Sequence, residues 1–229
     1  MCIFKCFKKR YCKDCGLYLN KIDDAISKIT TNEKYKLFEV KIYELKSQIE
    51  VQKLNSLAVG LKTYNLIDKN INNVFEELLN ALQGDRLVIA GLNLIKLTFF
   101  IRCRRDGECF ESEDIEIFDK LACIYTSLKE GLIKKQTNLD KMDKILNESI
   151  HLKNGSKEHA KAEFEYNACN EIVAKTEKVI NLYKSSHLNL KDEIFIKYNV
   201  NLEDLTYSDS ISEIDAKYIK LIKNLLSKF

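Results

Sequence analysis

Cys12-Lys13-Asp14-Cys15-Gly16 is the stretch of this chain whose residue types and spacing come closest to chemistry. Two thiolates separated by two residues can grip one zinc ion, and a glycine after the second eases the tight loop that such a grip requires. Cys2 and Cys6 stand where they could complete a set of four ligands, and Cys103 and Cys109, on either side of Arg104-Arg105-Asp106-Gly107, are alternative donors. Against a zinc knuckle stands the short reach of the chain. Four ligands this close together leave little backbone to wrap a tetrahedron, and the spacing ahead of Cys12 matches no established zinc module.

The same residues support a second reading as a membrane-contacting leader made of Cys2, Phe4, Lys5, Cys6, Phe7, Lys8, Lys9 and Arg10. Cysteines among apolar side chains, followed by a basic cluster, have the make-up of an acylated leader. One acyl chain anchors only marginally, and each basic residue near anionic lipid adds about 1 kcal/mol. Myristoylation is excluded, because position 2 is cysteine where that modification requires glycine. The plain alternative is an apolar segment packed on the body of the protein with solvated lysines around it. Residues 1–16 are accordingly expected to form a Cys/Lys-rich leader, with residues 17–229 as a single helical bundle domain.

Elsewhere the chemistry is thin. His151, His159 and His187 are scattered and read as isolated surface histidines, while Cys123 and Cys169 lie inside helical patterns and read as buried thiols. Neighbouring carboxylates such as Asp23-Asp24 and Glu76-Glu77 diverge on a helix, so they do not converge on one substrate. There is no glycine-rich phosphate loop, nucleophile elbow or paired His-Glu metal motif. An enzyme built on this chain would need a site assembled from distant residues. The net charge of +3 is too small to imply a nucleic-acid partner. With no export signal in MCIFKCFKKRYCKDCGLYL, the eight cysteines are expected as thiols or metal ligands in the cytoplasm.

The elements that must position these residues are helices. The chain has no proline and seven glycines in 229 residues, with 45% hydrophobic and 31% charged side chains, a composition that favours long helices around a sizeable core. Its centre is Leu87 to Ile101, LVIAGLNLIKLTFFI, where only Asn93, Lys96 and Thr98 interrupt an apolar run. That run is too short, and its Lys96 too costly, to span a bilayer, so it is expected as a helix covered on nearly every side.

Helical spacing of apolar residues continues on both sides. Leu19, Ile22, Ile26 and Ile29 define one helix, closed by a capping-box pattern at Thr30-Thr31-Asn32-Glu33. Near-heptad positions from Phe38 to Leu82 shift phase after Ile49; unbroken from Glu33 to Gln83 this helix would reach about 75 Å, with Gly60 and the Asn-rich Tyr64–Asn73 segment as candidate breaks. Gly84-Asp85 offers a stop and restart before the central run. A long helix follows from Ser112 to about Lys153. Asn154-Gly155-Ser156 is the clearest turn, opening a polar helix from Lys157 to about Ser186. Its narrow stripe of Ala160, Phe164, Ala168, Ile172, Val179, Leu182 and Tyr183 is expected to face the body. A short helix near Asp192–Tyr198 and a last one capped at Ser210-Ile211-Ser212-Glu213 complete the chain.

The fold expected is thus all-α: an elongated antiparallel bundle of about five to seven helices, with long coiled-coil-like members. The layout of a basic leader ahead of long helices resembles that of the ESCRT-III-like membrane-remodelling proteins. Those have an acidic second half where Lys217, Lys220, Lys223 and Lys228 stand here, and no motif matches. The function expected is that of a non-enzymatic scaffold or adaptor, whose partner is another protein or a second copy, with an anionic membrane surface as a further contact and zinc as the one cofactor the residues could hold.

Overall fold

The computed structural model describes residues 3–54, 61–106 and 112–229, with side chains described for 16–51, 69–102 and 114–229. The fold is all-α. Its helices are α1 (Ile3–Thr31), α2 (Glu39–Leu54), α3 (Leu61–Gln83), α4 (Leu87–Asp106), α5 (Ser112–Ser149), α6 (Lys157–Asn189), α7 (Lys191–Tyr198) and α8 (Ile211–Leu226), with a 3-10 turn at Glu33–Phe38. No strand occurs among the described residues. All of the α-helices except the eight-residue α7 are 16 residues or longer. Contacts group the chain into two compact units, residues 1–119 with 218–229, and residues 120–217.

In the first unit α1 packs on α2 and α3, and α4 packs on both α2 and α3. Lys46 of α2 reaches Asp23 of α1 at 2.7 Å, so the two run antiparallel across the turn that separates them. Lys21 meets Glu76 at 2.7 Å, Tyr18 stacks on Phe75 at 6.0 Å, and Lys34 meets Asp85 at 2.8 Å, which sets α1 and α3 in the same direction. Hence α2 and α3 run in opposite senses. The span from Glu33 to Gln83 is not one helix, and the phase shift after Ile49 belongs to the reversal between them.

The turns differ in detail from their sequence patterns. Thr31 belongs to α1, its hydroxyl bonding back to Ser27 O at 2.8 Å, and the cap of the next turn is Asn32, whose side chain accepts from Lys34 N at 3.1 Å. At Gly84-Asp85 the left-handed residue is Asp85, with φ of 56°, and not the glycine. Asp85 is held there from outside. The Tyr35 hydroxyl donates to Asp85 Oδ1 at 3.1 Å, and burial followed by that carboxylate pushes the tyrosine pKa up to about 12.

Between residues 88 and 101 of α4 every side chain is buried except Ile89 and Phe99, which are half-buried. The three polar interruptions are accommodated differently. Thr98 returns its hydroxyl to Leu94 O at 2.9 Å, which is the helical residue's own way of satisfying it. Lys96 lies between Glu77 and Asp119, with Nζ at 2.9 Å from each carboxylate. Asn93 Oδ1 is buried without a hydrogen-bond partner among the described residues, as is Gln48 Oε1 of α2, and each such group costs about 1–3 kcal/mol. Gly91 lets two helices close on one another: a Cβ there would stand 2.7 Å from Ile222 Cγ2 of α8 and 3.0 Å from Phe38 Cζ. In α8, Ile214, Tyr218, Leu221 and Leu225, spaced by three and four, are buried.

In the second unit α5 and α6 form an antiparallel hairpin. Gly155 takes the left-handed position with φ of 78°, and Ser156 Oγ accepts from His159 N at 3.1 Å, as the Asn-Gly-Ser pattern requires. Lys135 meets Glu177 at 2.9 Å, and the bare Cα of Gly131 lies against Ile180. Ser210 Oγ accepts from Glu213 N at 3.3 Å and Glu213 reaches back to Asp209 N at 3.1 Å, so the second capping-box pattern closes one residue early.

Candidate interaction surface

The residues singled out for chemistry lie mostly outside the described part of the structure. Cys2 is outside it altogether. Phe4, Lys5, Cys6, Phe7, Lys8, Lys9, Arg10, Cys12 and Cys15 fall within the span of α1, which begins at Ile3, and their side chains are not among those described. Cys103 falls within the span of α4 and its side chain is likewise not described, and Cys109 lies outside the described residues. Among the described residues no group of three or more His, Cys, Asp and Glu side chains is arranged to hold a metal ion, and no helix is long and apolar enough to cross a membrane. Cys123 is exposed and Cys169 half-buried, so neither is the buried thiol that its helical setting implied.

The feature that the structure does assemble is a face of α6. The apolar stripe expected to seat this helix points away from the core: Phe164 is 74% exposed, Leu182 65%, Val179 47% and Ile172 36%. The side chains that α6 buries are Val173, Thr176, Ile180, Lys184 and His187. At about 100° per residue the two faces lie roughly 120° apart around the helix.

Polar partners explain that orientation. Lys184 Nζ donates to Asp209 Oδ1 at 2.9 Å and to Thr206 O at 3.1 Å; His187 Nε2 lies 3.1 Å from Glu203 O; and Thr176 bonds back to Ile172 O at 2.7 Å. From α8, Lys217 donates to Ser208 Oγ at 2.8 Å and to Asp204 O. The segment between α7 and α8 is therefore fastened to α6 and α8 through its own carbonyls, with Val200, Leu202 and Leu205 buried beneath. A charged or imidazole side chain is burdensome to bury without acceptors, and here the acceptors are supplied on one side only. His187 is no surface histidine. Burial lowers its pKa to about 4 against the weaker opposing effect of Glu203 O, so the ring is neutral and donates from Nε2 to that carbonyl.

The exposed face carries little net charge. Glu171 and Lys175 lie near its middle, 3.1 Å apart with side chains 73% and 76% exposed, and Lys161 pairs with Glu165 at 3.7 Å near its start. At the other arm of the hairpin Leu146 and Ile150, at the end of α5, are 48% and 70% exposed. Sequence periodicity located the stripe but gave it the wrong direction. The signal that would have corrected it is the second series, Val173-Thr176-Ile180-Lys184-His187, spaced by three and four and passed over because three of its members are polar.

Comparison of the chain with known protein families, with curated proteins and with solved structures finds no match in any of the three.

Proposed function

We propose that this chain is a non-enzymatic scaffold or adaptor whose work is done through protein contacts on the outer face of α6. One observation carries this reading: Phe164, Ile172, Val179 and Leu182 are exposed along a single helix whose opposite side is already seated. Aligned apolar side chains in water are unfavourable by about 25 cal/mol per Å² relative to a covered state, and a contiguous exposed stripe marks an interaction site far more than scattered apolar residues do. The mixed charges beside it suit recognition of another protein surface, where they set register and exclude wrong partners.

A photo-crosslinking residue in place of Phe164 tests the reading in a native extract. It should give a discrete protein adduct, and the same residue in place of the exposed Glu163, off the stripe, should not. Equal or absent labelling at the two positions removes the proposal.

A further inference from the structure

Resting on that reading of α6, we infer that the occupant of the face is α6 of a second copy of this chain, running antiparallel about a two-fold axis at the level of residue 173. The stripe is complementary to itself when reversed end for end about that level. Phe164 then stands opposite Leu182 and Glu171 opposite Lys175, with Ala168 one residue from facing Val179, so that the apolar ends of the stripe meet each other and the charges at its centre meet their opposites. A two-fold interface presents the same patch from both sides, so every one of these contacts occurs twice.

The charges choose the direction. In a parallel pair in register, Glu171 would meet Glu171 and Lys175 would meet Lys175, and like charges facing across two helices are destabilising. In the antiparallel pair the Glu171 and Lys175 side chains, largely exposed as they stand, turn from their partner four residues away on the same helix to the facing one on the second copy. An anionic bilayer is a poorer occupant, because Glu165 and Glu171 offset Lys161 and Lys175 along the stripe and leave no excess of positive charge among them.

Sedimentation equilibrium of the full chain, together with two charge reversals, tests this. The native chain should dimerise, and Phe164→Asp should abolish the dimer without lowering the melting temperature measured at dilutions where the native chain is itself monomeric, because that side chain is already largely in water. Glu171→Lys and Lys175→Glu should each weaken self-association by on the order of ten-fold. Mixed together, the two single variants should associate with each other more tightly than either does with itself. Each variant has lost its internal Glu–Lys pair, so recovery on mixing can come only from contacts between copies.

A p-benzoylphenylalanine at position 164 fixes the direction, since its adduct should lie in the peptide that contains Leu182 of a second copy. An adduct at position 164 of that copy overturns the antiparallel arrangement. A chain that is monomeric at its highest soluble concentration, or variants that do not recover on mixing, overturns self-pairing. If position 164 then crosslinks to a different protein in extract, the protein-contact reading stands alone; if it crosslinks to nothing, both fall.

Discussion

The two units place their apolar residues differently. In the first, residues 88–101 of α4 take nearly all of their side chains out of water, and Lys96 among them is neutralised by two carboxylates. In the second, Lys184, His187, Thr176 and Ser208 are buried while Phe164, Val179 and Leu182 remain outside. Apolar content therefore does not decide which face of a helix becomes core. A buried lysine or histidine without acceptors costs several kcal/mol, more than covering one valine or leucine returns, so the side with the acceptors is the side that seats. The first unit is held mainly by apolar packing. The second depends more on polar links, and its free apolar face follows from that choice.

The sharpest break of this contrast is in the first unit. Ile95 is fully buried at the middle of α4, and Ile95→Asp should destabilise by about 4 kcal/mol or more through an unpaired buried charge. Denaturant unfolding would measure it, and hydrogen exchange should find the amides of Ile89 to Leu97 among the slowest in the native chain. Rapid exchange there would contradict the role given to α4.

Next in size is the lysine beside it. Glu77→Gln together with Asp119→Asn leaves Lys96, whose side chain is 6% exposed, buried without a counter-charge, at a cost of about 3 kcal/mol. Lys96→Met should change stability by less than about 1 kcal/mol, because the two carboxylates left behind are already more than half exposed. Equal costs for the two changes would mean that the ion pairs themselves, and not the neutralisation of a buried charge, are what matter.

The second unit should be the acid-sensitive one. His187 has its pKa lowered from 6.5 to about 4 in the fold, so between those values the unfolded chain binds more protons and stability falls as pH falls. The loss approaches about 3 kcal/mol near pH 4, at roughly 1.4 kcal/mol per pH unit. Asp204 and Asp209 are held below the usual carboxylate range by Thr206 and Lys184 respectively, and their contributions are lost only below about pH 4. Protection factors in the second half of α6 should thus drop between pH 7 and pH 5 while those of α4 hold. His187→Gln, which keeps a donor for Glu203 O, should flatten the profile over that window. A profile unchanged by this substitution would separate the acid response from His187.

How much of this was legible follows the same division. The central run Leu87–Ile101 announced its burial because apolar residues fill every side of the helix, and the Asn-Gly-Ser turn announced itself because one residue needs a left-handed backbone and the next a capping hydroxyl. The break within 33–83 showed as a phase shift and a candidate glycine at position 60, neither of which tells a reversal between two antiparallel helices from a bend in one long one. The face of α6 was misread for a deeper reason. Its orientation is fixed by Glu203 O, Thr206 O and Asp209, acceptors that lie 16 to 25 residues further along the chain, and helical periodicity carries no record of them.

The smallest effects come from one substitution made in each unit, glycine to alanine within a helix. Alanine favours a helix over glycine by about 1 kcal/mol, so the outcome depends on whether the new methyl has room. At Gly91 the Cβ would meet Ile222 Cγ2 at 2.7 Å, Ile222 Cδ1 at 2.9 Å and Phe38 Cζ at 3.0 Å, in a part of the core where both neighbours are buried. Overpacking of that kind costs about 1–3 kcal/mol and exceeds the gain in propensity, so Gly91→Ala should destabilise, and less so in an Ile222→Ala background. At Gly131 the close contact is with Ile180 alone, Cγ1 at 2.9 Å, one turn from the buried hydroxyl of Thr176. A small shift of α6 relieves it, and Gly131→Ala should fall within about 0.5 kcal/mol of the native chain. Thermal unfolding of the two variants compares the packing of the units directly: equal losses would mean that the α5–α6 seam is as tightly packed as the surroundings of α4, and would remove the distinction between apolar and polar fastening drawn from their buried residues.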